Sequence, residues 1–122
     1  MNQELIQLFA PEVILSHFEY KEMEEISGVY RLCLDEKNDV SHHPAALKGK
    51  SDVILNGFMN PIELQTFPAK GKEVFLILRR RRWKLQGSEE SYHNTYDFHE
   101  LGMKATREFG AFLKEIDHLK ND

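Results

Sequence analysis

The apolar positions change period along this chain, and each change predicts an element. In NQELIQLFAPEVILSHF, residues 2–18, apolar side chains fall at 5, 6, 8 and 9 and again at 13, 14, 15 and 18, with Pro11 between the two groups. That spacing predicts two short helical turns, Pro11 serving as the first residue of the second, where its missing N–H costs nothing. From Phe18 the period shortens to two. Phe18 and Tyr20, then Val29, Tyr30, Leu32 and Leu34, flank Ser27–Gly28 and predict a β-hairpin whose wet face carries Glu19, Glu22, Glu24 and Glu25. Residues 35–51, polar and punctuated by Pro44 and Gly49, predict a loop.

Strands are expected at 52–58 and 62–67, and the turn signal PAKGK leads into residues 73–85, the longest strand pattern in the chain. Alternation along that strand places Phe75, Ile77, Arg79, Arg81, Trp83 and Leu85 on one face. Val74, Leu76, Leu78, Arg80, Arg82 and Lys84 fall on the other. Its first half is therefore apolar on both faces and its second half charged on both, the pattern of a strand that starts in the core and ends as a projecting ribbon. QGSEES supplies a turn and YHNTYDF a returning partner, with Tyr92, Tyr96 and Phe98 on one side. Toward the end, apolar residues at 105, 109, 112, 113, 116 and 119 describe an amphipathic helix. The expected fold is α+β: a mainly antiparallel sheet with a projecting basic β-hairpin, a C-terminal amphipathic helix and a short N-terminal helical segment. The phenylalanines at 9, 18, 58, 67, 75, 109 and 112 are assigned to the core.

Length adds that 122 residues suit one domain, 1–122. No apolar run approaches 20 residues and no charged-then-apolar leader opens the chain, so no membrane contact is expected and the cytoplasm is the expected compartment. Charge changes the picture more. Between Lys70 and Lys84 lie seven basic residues, Lys70, Lys72, Arg79, Arg80, Arg81, Arg82 and Lys84, and one acid, Glu73; that is +6 inside a chain whose net charge is −4. A local basic stripe is the electrostatic footprint of a polyanion, while an acidic remainder resists nonspecific adhesion.

Three readings of the stripe stand open. The arginines can be a solvated surface bridged to acids elsewhere. They can contact nucleic acid, since arginine bonds phosphate or guanine in bidentate fashion and a two-stranded ribbon fits a major groove, with Trp83, Tyr92 and Tyr96 stacking on bases or shielding the ribbon's apolar side. Or they can meet a protein, because arginine and aromatic residues are enriched at contact centres. His93 and His99, flanking the return strand, are candidates for a phosphate contact beside the arginines.

Elsewhere the residues carry less chemistry. Cys33 excludes an internal disulfide and fits a small buried hydrophobe. Adjacent residues on an extended chain point apart, so His42 and His43 make a poor chelating pair; no metal or other cofactor is expected. GKS at 49–51 lacks the upstream glycine of a phosphate-binding loop. No motif arranges a serine or cysteine with histidine and acid for nucleophilic catalysis.

The chain also resembles a known family. FPAKGKEVFLILRRRRW, a polar turn, YDF and then GMKATREFGAFLKEI, preceded by LDEKN and KSDVILNGFMNPIELQTFP, are similar to the N-terminal region of ISAon-family insertion-sequence transposases. The likeness runs over about residues 5–117. The family's arginine run matches Arg79 to Arg82 and Trp83, and its helix matches Thr106, Glu108, Phe109, Phe112, Leu113, Lys114 and Ile116. The resemblance implies a non-catalytic accessory unit that binds DNA at insertion-sequence ends. Arg79, Arg80, Arg81, Arg82 and Lys84, with Lys70 and Lys72, would face the nucleic acid and Trp83 would position the ribbon. Carboxylate-metal transposases hold two ions with three acids on a large separate domain, a constellation not found here, so a catalytic transposase subunit is an expected partner. The alternative is an interaction module that docks on that subunit or self-associates as a homo-oligomer.

Overall fold

In a computed structural model that describes residues 2–98 and 105–120, the chain is α+β with mainly antiparallel pairing. Two four-residue helices, α1 (Gln3–Ile6) and α2 (Glu12–Leu15), come first. Six strands follow, β1 (Phe18–Ile26), β2 (Val29–Glu36), β3 (Val53–Phe58), β4 (Ile62–Ala69), β5 (Lys72–Arg79) and β6 (Arg81–Leu85), and helix α3 (Arg107–Lys120) comes last. Among the described residues, no helix is long and apolar enough to cross a membrane.

Two hairpins build the larger sheet. Ser27–Gly28 turns β1 into β2 and Lys70–Gly71 turns β4 into β5, with both residues of each turn at positive φ. This is the twist-compatible two-residue turn that glycine makes easy. The hairpins lie side by side in the order β1-β2-β5-β4, joined through a parallel β2–β5 pair that runs from Tyr30 opposite Val74 to Asp35 opposite Arg79. One sheet face is apolar. Leu32 and Leu34 of β2, Leu64 of β4 and Val74, Leu76 and Leu78 of β5 are buried there under Ile6, Ile14 and Leu15 of the N-terminal helices and Ala10 between them, with Phe18 and Phe98 closing the end. The Thr66 hydroxyl donates to the Phe9 carbonyl at 2.8 Å and ties the helical segment to β4. Each short helix is held by burial rather than by its own ladder.

The long strand expected over 73–85 is two strands. It breaks at Arg80, whose carbonyl accepts from the Met59 N–H at 2.8 Å, and β6 pairs antiparallel with β3 as a separate two-stranded sheet. The ribbon's partner is therefore β3. The expected return strand 92–98 contributes one bridge, Trp83 with Tyr92, through two 2.8 Å backbone bonds. Residue Thr106 N–H donates to Gln65 O at 3.0 Å on the outer edge of β4, and α3 starts from there. Its Phe109 and Phe112 rings lie 5.2 and 5.4 Å from Phe67. Phe112 is nonetheless 44% exposed, so it leaves the set of core aromatics.

Candidate nucleic-acid interface

The order of β2 and β5 decides what the arginine run meets. Because β2 runs parallel to β5, its last residues, Asp35 and Glu36, arrive beside Arg79 and Arg81. Both carboxylates are buried, Glu36 fully. A buried carboxylate must be satisfied, and these two recruit the first arginines to do it.

Arg79 donates from Nε to Asp35 Oδ1 at 2.7 Å and from Nη2 to Oδ2 at 2.8 Å, so its fork is fully committed to one side chain. That hydrogen-bonded pairing raises the guanidinium further above its ordinary pKa. Arg79 also lies over the Phe58 ring at 4.0 Å, and Arg81 lies over the same ring at 5.0 Å. Arg81 Nε donates to the Glu36 carbonyl at 2.6 Å, while its backbone N–H donates to Glu36 Oε1 at 2.9 Å. Glu36 Oε2 accepts from Asn94 Nδ2 at 2.8 Å and from the Tyr96 hydroxyl. Burial first, and this carboxylate second, hold the Tyr96 phenol far above its usual range. Arg80 is half-buried and donates from Nη1 to Asn94 O at 3.2 Å.

Trp83 is 1% exposed, with its ring 4.8 Å from His43. Burial withdraws it from any nucleic-acid surface and makes it the anchor that fixes the ribbon to the 38–51 loop. On the opposite face of β6 stand Arg82, exposed, and Lys84, half-buried, with Ile54 across from Lys84. Among the described residues neither Arg82 nor Lys84 makes a side-chain hydrogen bond or ion pair. Lys70 and Lys72 do not join them. Lys70 sits in the turn before β5 and Lys72 begins the strand, about 23 Å away from Arg79 at 3.3 Å per residue, and Lys72 is paired with Glu25 and lies 5.2 Å over the Tyr30 ring. The stripe that is continuous in sequence is two sites in space.

The ribbon is also bent where Arg82 sits. Between Leu55 and Phe58 the register slips, so Asn56 and Gly57 together oppose Arg82. Gly57 has φ +81°, and a Cβ there would fall 3.3 Å from Arg82 Nη2. The bulge therefore leaves room for the guanidinium along the backbone. His93 is exposed on the segment that leaves Tyr92, and His99 lies outside the described residues.

A polar cluster that sequence reasoning passed over lies behind the ribbon. His17, His42, Asn94 and Tyr96 line a hollow of about 290 Å³. His42 Nδ1 is 2.6 Å from Asp39 Oδ1, and the Ser41 hydroxyl donates to the same oxygen at 2.6 Å. The Ser41 and His42 bonds pull the Asp39 carboxyl down to about 2. Burial, and then the neighbouring His42, lower His17. Cys33 is half-buried on the sheet's other face, where Glu22 and Glu24 bring ligand atoms within 4.8 Å of its sulfur. Burial and these two carboxylates raise the thiol, which keeps it from acting as a ready nucleophile. The signal for Asp35 and Glu36 was present in LDEKN: two acids directly continue the alternation of a buried strand.

No family model, curated protein or solved structure matches the chain.

Proposed function

We propose that this protein is a DNA-recognition unit of an insertion-sequence transposition system, working in the cytoplasm beside a catalytic transposase subunit. It grips duplex DNA at the element's ends through the outer face of the β3–β6 ribbon. Arg82 and Lys84 make the contact, while Arg79 stays neutralised by its bidentate bond to Asp35.

One observation carries this reading: two cations without a described partner share the outer face of a two-stranded ribbon whose inner face is nailed down by Trp83. Among the described residues neither forms an ion pair with an acid. The resemblance to the N-terminal region of ISAon-family transposases supports the same reading and supplies the element's ends as target. The ribbon's aromatics argue for duplex over single-stranded DNA, because Trp83 is buried and Phe58 lies beneath two guanidiniums, leaving little face for base stacking.

The test is an anisotropy titration of terminal-repeat and scrambled duplexes at two salt concentrations. Binding that weakens with salt is expected, and an absence of binding at low salt would overturn the reading. A second reading, an interaction module that docks on the transposase or on another copy of itself, is favoured by the exposure of Phe112 on the apolar stripe of α3. Capture of the transposase by a protein with no DNA affinity would select it.

A further inference from the structure

We infer that Arg82 is the residue through which the ribbon reads a guanine edge, with Gly57 positioning it and Lys84 holding the backbone; this rests on the DNA reading above. Reading guanine takes a guanidinium that can present two donors at once to O6 and N7. The four arginines differ sharply by that criterion. Arg79 has both Nε and Nη2 on Asp35, and Arg80 has Nη1 on Asn94 O with a buried Nε; Arg81 keeps its two Nη groups but is held by Nε on the Glu36 carbonyl, over the Phe58 ring and on the same face of β6 as the buried Trp83. Arg82 alone among them has a guanidinium with no described hydrogen bond.

Its place on the ribbon fits the task. A two-stranded ribbon enters a major groove with one face toward the bases, and the outward face here presents Ile54, Lys84 and Arg82. Arg82 stands at the bulge, where a Cβ on Gly57 would fall 3.3 Å from Arg82 Nη2 and make the guanidinium give by a few tenths of an ångström. Bulges re-aim side chains in this way beside functional sites. Lys84 is a point charge on a flexible stem, suited to a phosphate. Asn56, the other residue of the bulge, is tied to the Ser91 hydroxyl at 3.4 Å and serves as a link to the 86–91 turn.

The experiment is selection of bound duplexes from a random-sequence pool, followed by anisotropy titration of the selected and scrambled duplexes with the wild-type chain and with Arg82→Lys, Lys84→Ala, Gly57→Ala and Gly57→Asn. Urea midpoints are measured on every variant. The wild-type chain is expected to enrich a motif containing guanine. Arg82→Lys keeps the charge and the salt-dependent affinity for scrambled duplexes but loses about tenfold or more of the preference for that guanine. Lys84→Ala weakens every duplex alike. Both Gly57 variants lose preference, and because asparagine tolerates positive φ, Gly57→Asn does so with the smaller change in urea midpoint. Full preference in Arg82→Lys overturns the inference, as does wild-type binding that enriches no motif, which leaves the DNA reading standing. Full preference in both Gly57 variants overturns the positioning role. No salt-dependent binding of any duplex overturns the inference and the reading together.

Discussion

Arg79 and Arg81 on one side, Arg82 and Lys84 on the other, lie within six residues of one another and carry the same charge, yet they meet opposite surroundings. The first pair faces the end of β2, where two buried carboxylates wait. The second pair lies on the ribbon's outer face, where no described acid reaches it. A run of like charges is thus divided by topology into a structural half and an open half, and the divider is the parallel β2–β5 contact that brings Asp35 and Glu36 alongside. Charge density in a sequence says that an anion is needed; only the fold says whether the protein already contains it.

That division has consequences that can be ranked. The deepest cut is expected from Trp83→Ala, which empties the ribbon's anchor and should lower stability by about 3–5 kcal/mol in urea denaturation followed by circular dichroism. Next comes Glu36→Ala, which strands the Arg81 N–H and the Tyr96 hydroxyl and leaves the Asn94 amide only its bond to the His42 carbonyl, at a cost of about 3 kcal/mol by the same measurement. Asp35→Asn should cost less, about 1–2 kcal/mol, because the half-exposed Arg79 guanidinium can turn to water. A small effect follows from pH. His17 titrates lower in the fold than in the unfolded chain, so the unfolded state takes up more protons and stability falls as pH drops below about 6.5. Its surroundings include His42, Glu36 and Lys37, and His17→Gln should flatten that part of the urea midpoint against pH profile. The smallest change in stability, within about 0.5 kcal/mol, is expected from Arg82→Ala or Lys84→Ala. A large loss there would erase the distinction between the halves.

Much of the architecture was legible because local chemistry dictates it. Ser27–Gly28 between alternating runs specifies a hairpin, Pro11 separates two helical turns, and the 3-and-4 spacing from Phe109 onward specifies α3. What escaped was long-range. The alternation over 73–85 is genuine, but the break at Arg80 depends on Met59 and Glu36, which are remote in sequence. The pairing of β6 with β3 rather than with the neighbouring 92–98 segment could not be told from spacing, since both partners alternate and only tertiary packing around Trp83 and His43 discriminates. The basic run itself was legible, but its surroundings were not: Lys70 and Lys72 lie at the turn and start of β5, away from the four arginines, and Trp83 is buried as the ribbon's anchor. The Arg79–Asp35 ion pair and the Arg81 bonds to Glu36 leave no periodic trace, so the inner arginines looked as available as Arg82.

On the proposed reading, the outer face of the ribbon, and not the arginine run as a whole, meets the polyanion. Its most direct test is the slope of log affinity against log salt for a duplex, compared between the wild-type chain and the Arg82→Gln/Lys84→Gln double variant. A slope reduced by about one, from the lost Lys84 phosphate contact, is expected at an unchanged urea midpoint. A slope equal to the wild-type value would contradict it.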